Sequence, residues 1–261
     1  TPLYSSAASD VYKRQIQDNT KVVWVETPTN PLLSIADIQA LAAVKGDAAL
    51  VVDNTFASPY LQQPLELGAD VVLHSTTKYI GGHSDVVGGV VVGRNTTEGH
   101  EGVSAITAGS FDALNNLEEQ LRFFFGWVGA IPSPFDTYLT GRGLKTLGVR
   151  MDKHCDNAEA VANHLNASDK VDRVYYPGLA DHPGHDIAAR QMRRFGGMVS
   201  VAFNTAEQAI TFCRSTKLFC LAESLGGVES LLEHPATMTH VSVAGSALEV
   251  PPTLVLSLIH I

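Results

Sequence analysis

Cysteine is scarce. Cys155, Cys213 and Cys220 are the three in 261 residues, an odd number that forms no C-x-x-C pair. With no apolar signal-peptide core near the start, this excludes a disulfide-stapled secreted domain and points to a reduced, cytoplasmic protein. Positive charge is also short: 18 Lys and Arg stand against 27 Asp and Glu, a formal net charge of −9. Nucleic acid and anionic membrane are therefore not expected as partners, because both require clustered cations. No apolar run approaches the roughly 20 residues that span a bilayer, so the sequons at Asn95 and Asn166 are expected to be silent. With only 17% charged residues in a mixed composition, coiled-coil and low-complexity classes fall away as well. The length is enough for one large or two modest domains, each with a core of its own.

The ends differ from the rest. Residues 1–15, rich in Ser and Ala, carry neither a helical nor a strand period, and residues 256–261 stop without a polar tail. Both strings resemble translated adaptor sequence, so both are expected to be non-native and to lie outside the fold of a chain truncated at each end. Between them, apolar runs at residues 21–26, 48–52, 70–73 and 89–92 are separated by turn or helical stretches. Continuous apolar runs of this kind read as parallel strands covered on both faces, hence an α/β sheet. Residues 35–44 have a helical period, with Asp37 at the start and Gly46 at the stop. Helical patterns follow at 114–125 and 135–165, the second interrupted by Gly141-Arg142-Gly143, then short strands near 171–176, 198–203 and 218–221 with helices near 184–193 and 206–214. The expected division is a partial large domain over residues 16–140 and an incomplete smaller α+β domain over 141–255.

In open α/β sheets, ligands bind beyond the carboxyl ends of the strands. Three successive runs end in polar residues: Glu26 through Asn30, then Asp53-Asn54-Thr55, then His74-Ser75-Thr76-Thr77-Lys78. Lys78 follows Asp53 by 25 residues, one strand–helix–strand unit, so both can face one crevice. A lysine amine, an Asp that needs a cationic partner and a cluster of hydroxyl donors are together what pyridoxal phosphate asks of a protein. An ordinary surface Asp and Lys beyond two strand ends would look the same, and spacing alone does not decide.

The literal strings do. Glu26-Thr27-Pro28-Thr29-Asn30-Pro31, Val51-Val52-Asp53-Asn54-Thr55-Phe56, Leu73-His74-Ser75-Thr76-Thr77-Lys78-Tyr79 and Gly82-His83-Ser84-Asp85-Val86-Val87-Gly88-Gly89 occur in that order. Ala222-Glu223-Ser224-Leu225-Gly226-Gly227-Val228-Glu229-Ser230 and His234-Pro235-Ala236-Thr237-Met238-Thr239-His240 follow them. Together these strings resemble the Cys/Met-metabolism family of pyridoxal-phosphate enzymes, over about residues 16–255. The resemblance implies the fold type I, aminotransferase-like architecture: a mostly parallel sheet flanked by helices plus a smaller α+β C-terminal domain. It also implies pyridoxal 5'-phosphate as cofactor, small amino-acid substrates and a homotetramer built as a dimer of dimers. Carried over residue by residue, Lys78 would bind the cofactor and then shuttle protons, and Asp53 would pair with its ring nitrogen. Ser75 and Thr77 would bind the phosphate. Asn30 would lie beside the cofactor oxygen and the substrate carboxylate, Ser224 would line the carboxylate side, and Glu223 would sit at the distal end of the substrate.

Two departures stand out. The family motif continues past Thr253-Leu254-Val255 into an Arg that grips the substrate α-carboxylate, whereas Leu256 follows here. The family's N-terminal section, with a Tyr that stacks on the ring, is also not seen, so this polypeptide is expected to be inactive although its parent enzyme is active. The strings at residues 222–227 and 243–251 look most like the cystathionine γ-synthase and γ-lyase branch, γ-synthase being preferred. A non-catalytic α/β interaction module is the alternative from another class. His182 and His185, separated by Pro183 and Gly184, read as a turn rather than a metal site. Gly88-Gly89 lacks the G-x-G-x-x-G spacing of a dinucleotide fold.

Overall fold

A computed structural model describes residues 15–93, 117–246 and 248–259. Most of the leader, the sequon at Asn95 and the first residues of the helix expected from residue 114 lie outside that range. The first sheet has four strands in the order β1-β2-β3-β4: β1 (Val22–Glu26), β2 (Ala49–Asp53), β3 (Val71–Ser75) and β4 (Gly89–Gly93). The first three are parallel, as continuous β-branched runs joined through helical crossovers should be. The fourth was expected to be parallel too, but it runs antiparallel, pairing Ser75 with Gly89 and Val71 with Gly93. Between β3 and β4 stand one π-helical turn and a loop, residues 76–88, rather than a crossover helix packed on the sheet, and the chain returns along its neighbour.

Helix α1 (Ile38–Val44) covers one face of this sheet. The Asp37 side chain caps it by accepting from the Ala40 N–H at 3.0 Å, and Gly46, at a φ of +59°, takes the left-handed turn just beyond its end. Its buried Ile38 and Leu41 pack on Val25, Leu50, Val52 and Val72, which are alternate positions of β1 to β3. The opposite face of the strands carries Trp24, Val51 and, at the carboxyl ends, Glu26 and Asp53.

Helix α2 (Ser58–Leu61) leads back toward β3. Beyond the first sheet come α3 (Leu117–Val128), α4 (Pro134–Leu144) and the long α5 (Leu147–Asn166). The break expected at Gly141-Arg142-Gly143 falls instead at Lys145 and Thr146, the three residues lying inside α4. A second sheet of five strands has the order β5-β6-β9-β8-β7, built from β5 (Arg173–Tyr175), β6 (Met198–Ala202), β7 (Cys220–Leu221), β8 (Leu231–Glu233) and β9 (Leu254–Leu258). Helices α6 (His185–Gln191) and α7 (Ala206–Ser215) accompany it. A reciprocal capping box between Thr205 and Gln208 starts α7.

One expectation about the end of the chain fails. Residues 256–261 were expected to lie outside the fold, yet Leu256 and Leu258 belong to β9, the central strand of the second sheet, and are fully buried. Burying two leucines stabilises the sheet by about 4 kcal/mol. The alternation Leu254, Leu256, Leu258 matches a strand covered by a core, whatever the origin of the residues. These leucines join an apolar cluster that includes Leu33, Phe56, Tyr79, Met151, Met198 and Leu225 and so ties the second sheet to α5 and to the segments that follow the strands of the first sheet.

Candidate active site at the strand ends

The Thr27–Asn30 turn is mostly scaffold. Thr27 is fully buried, its hydroxyl accepting from the Ala36 N–H at 3.0 Å and its carbonyl from the Gln62 amide at 3.1 Å. Gln62 also donates to the Asn54 side chain at 2.8 Å, and Asn54 in turn donates to the Ser58 and Gln62 carbonyls. This closed amide network fixes the loop after β1 against the loop after β2. Within it, the Asn30 Oδ1 atom is buried without a hydrogen-bond partner, an acceptor left for something else.

Asp53 ends β2 at half-burial. One of its oxygens accepts from the Thr55 N–H at 3.0 Å, and the Thr55 hydroxyl accepts from the Ser75 N–H at 2.9 Å. A short relay thus links the ends of β2 and β3. Ser75 leads into a single π-helical turn, Thr76–Ile80, closed by the Gly81 N–H donating to the Thr76 carbonyl at 2.8 Å. Lys78 lies inside it with non-helical dihedrals, φ −85° and ψ −126°, so its side chain leaves the helix path. The Thr77 hydroxyl accepts from the Gly88 N–H at 2.9 Å and donates to the Gly88 carbonyl at 3.3 Å, a long bond from which the proton can swing to an anion.

Lys78 Nζ donates to Ser224 Oγ at 3.0 Å, across 146 residues of sequence. Ser224 is held at a φ of +68°, a conformation costly for a residue with a side chain. The turn it begins presses on the lysine: a Cβ placed on Gly226, whose φ is +148°, would lie 2.5 Å from the Lys78 Cα. Burial lowers the proton affinity of the Lys78 amine, and the charges of Glu233 and then Glu223 work against it. Glu233, at the end of β8, is buried, and that burial raises its carboxyl despite the bond from Thr239 at 3.0 Å.

Three residues with consequences for the site carried no role in the sequence pattern. Arg150 on α5 is buried, donating to the carbonyls of Tyr79 at 2.6 Å and Gly143 at 2.9 Å and to the Thr146 hydroxyl at 3.0 Å. Its guanidinium ties down the far end of the Lys78 turn, and no sequence signal marks it. Glu233 likewise has none, being one carboxylate between Leu232 and His234. Glu26 does have one, for it ends its apolar run just as Asp53 ends the next. The carboxyl of Glu26 is pushed up to about 7, by burial first and then by the charge of Asp53, against a hydrogen bond from the Asn30 backbone.

Lys78, Ser224, Glu223, Asp53, Ser75, Thr77 and Asn30 all sit at or beyond the carboxyl edge of the first sheet and the Ser224–Gly227 turn that abuts it. No hydrogen bond joins Asp53 to Lys78 among the described residues. No group of three His, Cys, Asp or Glu residues suited to a metal occurs among the described residues, His182 and His185 included. His182 instead accepts from the Gly184 N–H at 3.1 Å, closing the turn expected of it. No helix among the described residues is long and apolar enough to cross a membrane.

The family model of the Cys/Met metabolism PLP-dependent enzymes matches residues 3–255. The match begins inside the leader expected to be foreign and ends at Val255. Cystathionine gamma-synthase of Mycobacterium tuberculosis is 57% identical over 249 residues, a span of 94% of this chain and 59% of the relative. Cystathionine gamma-lyase of Dictyostelium discoideum is 51% identical over 90% of this chain and 56% of its own length. The crystal structure of metB from Corynebacterium glutamicum superposes with a TM-score of 0.88 at 60% identity, covering 96% of this chain and 61% of that one. The chain thus spans about three-fifths of the length of the proteins it matches.

Proposed function

The chain belongs to the Cys/Met metabolism PLP-dependent enzyme family, and from that premise we propose that it carries the lysine-bearing part of a transsulfuration enzyme. The reaction is that of a cystathionine γ-synthase, in which cysteine replaces the γ-substituent of an O-acyl-homoserine. The observation that carries the reading is the seat of Lys78: a half-buried amine held by Ser224, on a strained turn, beyond a strand end shared with Asp53.

The residues present fit pyridoxal phosphate. Asn30 Oδ1 is a buried acceptor without a partner, the Gly226 position leaves no room for a side chain against Lys78, and no Lys or Arg among the described residues pairs with Asp53. Lys78 would bond the cofactor, Asp53 would pair with the ring nitrogen, and the hydroxyls of Ser75 and Thr77 would hold the phosphate. Asn30 would face the cofactor oxygen and the substrate carboxylate. When bound, the cofactor supplies an electron sink that acidifies the substrate Cα–H. The chain's own part is then positional and acid–base. The Ser224 hydroxyl holds Lys78 Nζ within reach of one spot, and burial keeps that amine's proton loosely bound, so Nζ is suited to take and return a proton. Glu223, exposed beside Ser224, lies at the distal end of the substrate.

Leu256 supplies no cation for a substrate carboxylate, so the chain alone is expected to bind cofactor without turnover. Borohydride treatment of the chain with pyridoxal phosphate should fix the cofactor on Lys78, and Lys78→Ala should abolish the adduct. A chain that takes up none would favour the non-catalytic module. In the polypeptide extended to its relatives' length, faster turnover of cystathionine alone than of O-acyl-homoserine with cysteine would replace synthase by γ-lyase. That extended protein is expected to be a cytoplasmic homotetramer. The exposed apolar side chains Trp127, Val128, Ile131, Phe135 and Tyr138 of α3, α4 and their connection suit burial against another subunit, which light scattering would test.

A further inference from the structure

Parallel strands β1 and β2 are in register along their whole length, and their last pair is Glu26 with Asp53. Adjacent strands lie about 4.8 Å apart, and paired residues project from the same face. The alternate positions Val25, Leu50 and Val52 fill the core beneath α1, so Glu26 and Asp53 both stand on the other face, side by side at half-burial. One Asp53 oxygen is occupied by the Thr55 N–H, and the Asn30 backbone reaches Glu26. No Lys or Arg among the described residues forms an ion pair with either carboxyl. Two like charges about 5 Å apart at a partly buried edge repel by roughly 3 kcal/mol at an effective dielectric of about 20. So placed, the charge of Asp53 adds to burial in raising the affinity of Glu26 for a proton.

We propose that Glu26 and Asp53 form a coupled carboxyl pair in which Glu26 is the positioning residue, holding a proton beside Asp53 and so setting the negative charge that the pair offers a cationic ring nitrogen. The proposal rests on the cofactor reading above for its ligand, but not for the pair itself. Charged neighbours on the packed elements are few: Asp53 acts on Glu26 from β2, and the buried His74 imidazole on β3 feels Asp53 from the core side. The elevated affinity of Glu26 for its proton agrees with the geometry. When a cationic ring nitrogen sits against Asp53, its charge replaces that of the proton on Glu26, and the Glu26 proton leaves to solvent. Asp53 then faces the ring with a second carboxylate behind it.

The test uses the chain itself, labelled with 13C at the glutamate carboxyls and followed by NMR without cofactor. The Glu26 resonance, identified by its loss in Glu26→Gln, is expected to titrate near pH 7, and Asp53→Asn should lower its midpoint by about one unit. A midpoint in the ordinary carboxylate range near 4.3, or one unmoved by Asp53→Asn in a variant that still melts cooperatively, would overturn the pair. A second measurement does not depend on Asp53→Asn folding. Pyridoxal phosphate affinity at pH 6 and pH 8 should rise more for the wild-type chain than for Glu26→Gln, where the second charge never appears; equal ratios would refute the role given to Glu26. A raised Glu26 midpoint that falls with Asp53→Asn, in a chain that binds no cofactor, would support the pair and sink the cofactor reading.

Discussion

Alanine at Gly226 would strike the site where its two halves touch. The Cβ would meet the Lys78 Cα at 2.5 Å, its Cβ at 2.6 Å and its carbonyl carbon at 2.8 Å. Carbon atoms rest about 3.5–4.0 Å apart, so the overlap is about 1 Å, and two of the three atoms are backbone that cannot swing aside. The φ of +148° adds a strain of about 1–3 kcal/mol for any residue with a side chain. Forced overpacking adds about 1–3 kcal/mol more, for a total near 4 kcal/mol. Gly46 is the matched control: its φ is +59°, but an added Cβ meets nothing within 4 Å. Gly46→Ala should therefore cost only the left-handed strain, about 1–2 kcal/mol. By thermal melting, at roughly 2–4 °C per kcal/mol for a chain of this size, Gly226→Ala should lose about 10 °C and Gly46→Ala about 4 °C. At the temperature where both remain folded, borohydride fixation of pyridoxal phosphate at Lys78 should be impaired only in Gly226→Ala, since a shift of 1 Å in a reacting group is enough to matter. Equal melting losses, or unimpaired fixation in Gly226→Ala, would refute the claim that the Ser224–Gly227 turn sets the position of Lys78.

Replacing Arg150 with Met takes the donor from the Tyr79 carbonyl, while the Gly143 carbonyl keeps the Thr146 N–H and hydroxyl at 3.1 Å, and urea unfolding should show a loss of about 2 kcal/mol. The raised Glu26 carboxyl stabilises the fold below its ordinary value of 4.5, and that contribution is lost as pH rises through about 7. At about 1.4 kcal/mol per unit the linkage is at most about 3.5 kcal/mol. The urea midpoint of the wild type should therefore fall between pH 5 and pH 8 relative to that of Glu26→Gln. Leu256 faces Glu233 directly across the β8–β9 ladder. A double-mutant cycle of Leu256→Arg with Glu233→Gln should accordingly reveal a favourable coupling of about 1–3 kcal/mol, and additivity would show that the two positions do not meet.

The elements that sequence patterning made legible are those whose signals are local. β1, β2 and β3 are continuous β-branched runs, α1 announces itself through Asp37 and Gly46, and α7 through the helical pattern of residues 206–214. The direction of β4 was misread because an apolar run says nothing about the turn that precedes it. β9 was missed because the residues that complete it were set aside for their unfamiliar sequence, although their alternation was that of a strand. Arg150 was invisible for a further reason: its partners are backbone carbonyls, which leave no mark on the identity of the residues that bear them.

The order of polar residues at strand ends was determined by sequence alone, because a strand–helix–strand unit brings successive strand ends to one edge of a sheet whatever packs around it. That places Asn30, Asp53, Ser75 and Lys78 along one edge. Tertiary structure alone decided that Ser224 reaches Lys78, that Gly226 abuts its backbone, that Glu26 stands level with Asp53 and that Leu256 is core. Each of these depends on strand register or on contacts between residues far apart in the chain. Register shifts of one residue turn every side chain to the opposite face, and no local preference along the chain specifies which shift the packed core will choose.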